Sequence, residues 1–201
     1  MNILTTDTSV KYPTIDNAVT LIKKGSFLAK VDLKSAYRSV PIHPDSYNYT
    51  GLQWDFTGSC TTTYLYDCRL PFGASRSCRV FQAITSAIVR IMARMNFMCL
   101  AYIDDFLVIG DDFDACKLAL CCLVDLIPKL GLEVNWDKVE GPSPSLSFLG
   151  VQIDCVSHTL ALPPKKLVQI KELISAWSSK NKVSKKQEHK KRPKSQKHKQ
   201  N

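Results

Sequence analysis

The chain has 201 residues, 45% of them hydrophobic, which suits one domain of ordinary size with a proper core. No apolar run approaches bilayer length, and the N-terminus lacks a basic flank with a signal-type apolar core, so a soluble intracellular protein with no membrane partner is expected. The net charge of +9 is not a property of the body: residues 179–201 hold ten of the 27 basic and one of the 18 acidic groups, leaving 17 of each in residues 1–178.

Residues 1–13 show no periodicity and read as a loose arm. Thr14 can cap a short amphipathic helix through Ile15, Ala18, Val19 and Ile22, closed by Gly25. Phe27–Leu33 reads as a strand that stops at an acid, Asp32, before a tight turn at Lys34–Tyr37. Strand ends are a usual place for catalytic side chains, yet taken alone Asp32 is a cap or turn residue. Tyr49–Phe56 and Thr62–Leu70 flank Thr57-Gly58-Ser59 as a β-hairpin. It leads into Leu70-Pro71-Phe72-Gly73, a turn in which Pro fixes one φ and Gly frees another.

Ser75 or Ser77 opens the longest helical pattern, with Val80, Phe81, Ile84, Ala87, Ile88, Ile91, Met92 and Met95 on one face. Arg76, Arg79, Gln82, Arg90 and Arg94 make the other, either a solvated face or one that tracks a phosphate backbone. Cys99–Gly110 then holds two apolar runs with Asp104-Asp105 between them, which predicts a hairpin with two carboxylates at its tip. Adjacent like charges raise each other's pKa and need a cation or water, although Asp-Asp is equally ordinary turn chemistry.

Asp111 and Asp112 can cap a helix through Leu118, Leu120, Leu123, Val124 and Ile127, ended near Pro128 and Gly131. Leu132–Val134, Lys138–Val139 and Leu146–Ile153 read as short strands. Pro163-Pro164 opens a last helix through Leu167, Ile170, Leu173, Ile174 and Trp177. This order predicts an α+β sandwich with helices backing one sheet. The Lys-, Ser- and Gln-rich residues 179–201 should be disordered, either a weak phosphate-binding tail or a solvated extension. The eight cysteines never fall in a Cys-x-x-Cys spacing, which supports neither a zinc site nor a disulfide framework.

Asp32 lies 72 residues before Asp104, and a βαβ-like crossover would set the two strand ends side by side. Two converging carboxylate clusters are what a two-metal phosphoryl-transfer site needs. At this point the pattern resembles the palm of a reverse transcriptase. Val31-Asp32-Leu33-Lys34-Ser35-Ala36-Tyr37 is similar to that family's first catalytic motif, Leu70-Pro71-Phe72-Gly73 to its template-positioning turn, and Tyr102-Ile103-Asp104-Asp105 to its Tyr-x-Asp-Asp signature. Leu130-Gly131-Leu132 with Lys138 resembles the motif after the hairpin, and Phe148-Leu149-Gly150 the primer grip. Order and spacing most resemble retrotransposon enzymes of the long-terminal-repeat and DIRS-like kinds, over residues 12–177.

The resemblance implies a reverse-transcriptase palm, an antiparallel sheet backed by helices, with partial fingers over residues 14–162 and a truncated thumb start at 163–178. It implies that Asp32, Asp104 and Asp105 hold two Mg²⁺ ions, or Mn²⁺, with the Leu33 carbonyl as an extra ligand. Tyr37 would be the steric gate under the sugar, or else a core aromatic. Phe72 and Gly73 would shape the floor of the dNTP pocket, and Gln82 would face it. Lys138 would protonate the pyrophosphate leaving group, or else be a surface lysine. Phe148, Leu149 and Gly150 would set the primer 3′ end. The implied partners are an RNA or DNA template with its primer, dNTPs, and other retroelement polyprotein domains.

The departures from the family are at the ends. Only 31 residues precede Asp32, with no recognisable basic pair for the triphosphate, and low complexity follows Trp177 where a thumb would continue. No ribonuclease H or integrase region follows. The chain thus reads as a palm with both neighbours cut away. Two readings stay open: an RNA-directed DNA polymerase, which is a nucleotidyltransferase, and a catalytically inactive remnant that only binds nucleic acid. An RNA-dependent RNA polymerase is disfavoured, because those enzymes generally place Gly before the Asp pair and lack a bulky gate at the Tyr37 position.

Overall fold

Strand pairing in the computed structural model, which describes residues 12–58, 61–74 and 76–178, explains how distant acids meet. The arm up to residue 11, Ser75 as a helix start, and the tail from residue 179 lie outside the described residues. The chain divides into two units, residues 1–161 and 162–201. In chain order the first holds α1 (Ile15–Leu21), β1 (Phe27–Lys34), β2 (Gly51–Trp54), β3 (Thr63–Tyr66), α2 (Ser77–Arg94), β4 (Met98–Tyr102), β5 (Asp105–Gly110), α3 (Phe113–Lys129), β6 (Glu133–Val134), β7 (Glu140–Ser143), β8 (Ser145–Phe148), β9 (Val151–Asp154) and β10 (Thr159–Ala161). In the second, α4 (Pro164–Ser178) opens at the Pro-Pro pair, with the Leu167 N–H donating to the Pro163 carbonyl at 3.0 Å. No helix among the described residues is long and apolar enough to cross a membrane.

The main sheet runs β4-β5-β1-β6, with β7 also on β1, and every pairing is antiparallel. This corrects the expected βαβ-like crossover. β1 and β5 are direct antiparallel neighbours, in register from Phe27 opposite Gly110 to Asp32 opposite Asp105. The end of one strand therefore lies beside the start of the other, and no parallel connection is needed. Strand side chains alternate between faces, so β1 and β5 divide their residues between two cores. Ala29, Val31, Leu33, Phe106 and Val108 pack with Phe81, Ile88 and Met92 of α2 and with Cys116, Ala119, Leu123 and Ile127 of α3. Leu28, Leu107 and Ile109 pack on the opposite face with Ala18 of α1, with Ile22 at that helix's end and with Leu146, Phe148 and Ile153 of the β8–β9–β10 sheet. Asp32 and Asp105 continue this second face. Burial on both faces makes these two strands nearly continuous apolar runs.

Three local expectations change. On α2 the buried positions are Ser77, Phe81, Gln82, Thr85, Ile88 and Met92, whereas Val80 and Met95 are exposed. The buried stripe is thus rotated, and Gln82 leaves the arginine face for the interior, where β4 offers its amide a partner. Lys138 belongs to a 3₁₀ turn at Trp136–Lys138 and not to a strand. Leu146–Ile153 folds back on itself as the β8–β9 hairpin, with Leu149 at φ +47° and Gly150 at φ +77° in its bend.

Gly110 ends β5 against α3, where an added Cβ would stand 2.4 Å from the Cys116 backbone nitrogen. Gly110→Ala should therefore push strand and helix apart and lower the unfolding free energy by about 1–3 kcal/mol, read by urea denaturation; an unchanged midpoint would refute this packing constraint.

Candidate active site

The β4–β5 hairpin closes at the pair Tyr102–Asp105, which leaves Ile103 and Asp104 in the bend. Ile103 stands at φ +55°, where a β-branched residue costs about 1–3 kcal/mol. Gln82 holds it there from beneath. The Ile103 N–H donates to Gln82 Oε1 at 2.8 Å, and Gln82 Nε2 donates to the Ala101 carbonyl at 3.0 Å and to Ser86 Oγ at 3.3 Å. Gln82, expected at the dNTP pocket, thus has both ends of its amide bonded to or beside the acid-bearing turn. The Leu33 N–H donates to the Asp104 carbonyl at 3.1 Å, tying the two acidic segments together by their backbones.

Asp32 is 6% exposed. Lys138 Nζ lies 3.1 Å from each of its carboxylate oxygens, and Asn135 Nδ2 donates to Oδ1 at 3.0 Å. The Asn135 N–H also donates to the Asp32 carbonyl at 2.9 Å, and the Lys138 N–H to the Asn135 carbonyl at 3.0 Å, so one 3₁₀ turn grips Asp32 by main chain and side chain. Sequence reasoning reached Lys138 and missed Asn135. The signal was its place three residues before Lys138, a spacing that a 3₁₀ turn brings onto one side.

The tip is electrostatically strained. Burial first, then the charges of Asp104 and Asp32 and a hydrogen bond shared with Asp32, push Asp105 up to about 6 against the relief from Lys30. Burial, with the charge of Asp32 added, also raises Asp104. The Lys138 ammonium is held above its ordinary range by its hydrogen bond to Asp32 and by that residue's charge. Lys30, on the same face of β1, pairs with Glu140 at 2.7 Å. Among the described residues no three His, Cys, Asp or Glu side chains already gather as a metal cage. The donors nevertheless fit a hard divalent cation, being carboxylate oxygens whose mutual repulsion such an ion would relieve.

Beside the acids, the 3₁₀ turn Ala36–Ser39 carries Tyr37, whose ring lies 5.1 Å from that of Phe72 and 5.3 Å from that of Phe81. Its hydroxyl donates to Cys78 Sγ at 3.1 Å, and burial together with this bond raises the phenol pKa. Phe72 is 70% exposed and Gly73 stands at φ +82°, where a side chain would be strained. Ser77 Oγ donates to the Pro71 carbonyl at 2.7 Å, so the start of α2 fixes this turn. Phe148 is buried, and Leu149 packs on the apolar cluster that also receives Tyr102, which sets the bend at Leu149-Gly150 on the acid-bearing face.

Because Asp105 binds its proton more tightly when folded than when unfolded, its ionisation disfavours folding as pH rises through about 6. In metal-free buffer Asp105→Asn should add about 1 kcal/mol of stability at pH 7 after solvent screening and nothing near pH 3, as urea titrations at the two pH values would read; destabilisation at pH 7 would contradict the strained tip.

A profile of the reverse transcriptase (RNA-dependent DNA polymerase) family matches residues 3–153. The retrovirus-related Pol polyprotein from transposon opus of Drosophila melanogaster is 24% identical over 174 residues, 86% of this chain and 16% of that polyprotein. The enzymatic polyprotein of Cestrum yellow leaf curling virus is 26% identical over 155 residues, 76% of this chain and 23% of that one. The chain therefore spans less than a quarter of the length of these relatives. Its fold resembles that of a foamy viral protease-reverse transcriptase solved with double-stranded DNA, at TM-score 0.69 and 17% identity over 91% of this chain and 29% of that one. A family match that runs through every motif from Asp32 to Phe148 settles the affiliation: this chain belongs to the reverse transcriptase (RNA-dependent DNA polymerase) family.

Proposed function

We propose that this chain carries the catalytic centre of RNA-directed DNA synthesis, transferring a deoxynucleotidyl group from a dNTP to a primer 3′-hydroxyl opposite an RNA or DNA template and releasing pyrophosphate. The observation that carries this is the antiparallel register that sets Asp32 opposite Asp105, with Asp104 one residue away. Asp32, Asp104, Asp105 and the Leu33 carbonyl would hold two Mg²⁺ ions, with Mn²⁺ as a substitute. When bound, these ions supply a more acidic primer hydroxyl and neutralise charge on the triphosphate.

The remaining work belongs to the chain's own residues. The Tyr37 ring, braced by Phe72 and Phe81, would lie under the sugar and collide with a 2′-hydroxyl. Phe72 and Gly73 would form the floor beneath the incoming nucleotide. Gln82 would serve that pocket through the turn it holds, as a positioning residue for Asp104 and Asp105. Lys138, kept protonated beside the acids, would give its proton to the pyrophosphate oxygen as the Pα–O bond breaks. Phe148, Leu149 and Gly150 would seat the primer end. Catalysis on this plan is positioning and charge stabilisation. In domain terms residues 14–162 are the palm with partial fingers, and residues 163–178 begin the thumb.

Primer extension on an RNA template with dNTPs and Mg²⁺ tests the reading. The wild type should extend, and Asp104→Asn should fall by about 100-fold or more; a wild type that binds primer-template without extending it would instead support the binding-only remnant. In the same assay Tyr37→Ala should raise ribonucleotide use relative to deoxynucleotide use by about tenfold or more in the ratio of kcat/KM values, and an unchanged ratio would remove the gate role.

A further inference from the structure

The Asp32 carboxylate already has a cation on it. Lys138 Nζ stands 3.1 Å from both Oδ1 and Oδ2, where a divalent ion chelated by the same carboxylate would compete for it. The two partners are unequal in their attachment. The Asp32 side chain is 8% exposed and the Lys138 side chain 60%. The ammonium can therefore swing into water at little cost, whereas the carboxylate has nowhere to go. Asn135 reinforces the difference: its side chain holds Oδ1 at 3.0 Å and its N–H holds the Asp32 carbonyl at 2.9 Å, and a neutral amide does not compete with an incoming charge. Lys30, which shares the face, is engaged by Glu140.

We propose that Lys138 is a built-in counter-ion, which occupies Asp32 in the metal-free protein and is displaced when a divalent cation binds, while Asn135 keeps the carboxylate in place through the exchange. This rests on the reading that Asp32, Asp104 and Asp105 take metal, and it adds an order to it. The lysine is released toward the leaving group only after its place on Asp32 has been taken, so the general acid and the metal arrive together. The same contact lets three carboxylates share a buried tip without metal, at the cost of weaker metal affinity.

The test uses the full chain in three measurements. Mn²⁺ binding, followed by the loss of the free-ion paramagnetic resonance signal, should be about three- to tenfold tighter in Lys138→Met than in wild type, and Asn135→Ala should weaken it. The metal-free Lys138→Met protein should melt below wild type and recover with saturating Mn²⁺. In wild type alone, acetic anhydride labelling of Lys138, read by mass spectrometry against Lys34 as the internal reference, should rise by about threefold with Mg²⁺. This arm decides the question even if the variant does not fold. Mn²⁺ binding with equal affinity in both proteins, together with unchanged Lys138 labelling, would overturn the counter-ion and leave the metal site standing. No Mn²⁺ binding by either protein would overturn the metal site and the counter-ion with it.

Discussion

The antiparallel pairing of β1 with β5 is the constraint on which the rest depends. A slip of one residue would turn every side chain of β1 to the other face and carry Asp32 away from Asp105. The register is pinned by packing well away from the acids. Leu28, Leu107 and Ile109 are locked against α1 and the β8–β9–β10 sheet, and Ala29, Val31, Phe106 and Val108 against α2 and α3. The convergence of carboxylates is thus a consequence of two apolar cores, each too well filled to accept the shifted strand. Hydrophobic burial supplies the free energy, and the period of two supplies the geometry.

What the cores bring together, electrostatics pushes apart. Burial, with the charge of Asp32 added, holds Asp104 above the usual carboxylate range, and burial with the charges of Asp104 and Asp32 does the same to Asp105. The groups that keep them in place lie outside the acidic motifs. Gln82, from the N-terminal third of α2, fixes the turn through the Ile103 N–H and the Ala101 carbonyl. Asn135 and Lys138, from the turn before β7, fix Asp32. Gln82 is buried and bonded at both ends of its amide, so the acidic turn it holds needs little reorganisation when charge develops, which favours electrostatic catalysis.

The proposed nucleotide side is built in the same way. Tyr37 comes from the turn after β1 and Phe72 from the loop before α2, and Phe81 of α2 backs the Tyr37 ring. The Ser77 hydroxyl ties α2 to the Pro71 carbonyl, so one helix orients both the proposed sugar gate and, through Gln82, the acidic turn. One helix thus contacts both halves of the site.

Sequence by itself determined the parts of this protein whose signal is local. Alternating and continuous apolar runs marked β1, β4 and β5, turn chemistry marked Leu70-Pro71-Phe72-Gly73, and the order of motifs marked the family. Asp32, Asp104 and Asp105 could be named because acids at the ends of apolar strands stand out along the chain. Tertiary structure alone decided how those strands meet, since an antiparallel neighbour and a parallel crossover leave the same pattern in each strand. It also decided which way α2 faces. Helical periodicity defines a stripe only to within a turn, and the carbonyl of Ala101 and the N–H of Ile103 draw Gln82 inward. Asn135 offered only its spacing from Lys138: its partner is 103 residues away, and nothing in the residues beside it says that a hydrogen bond crosses that distance.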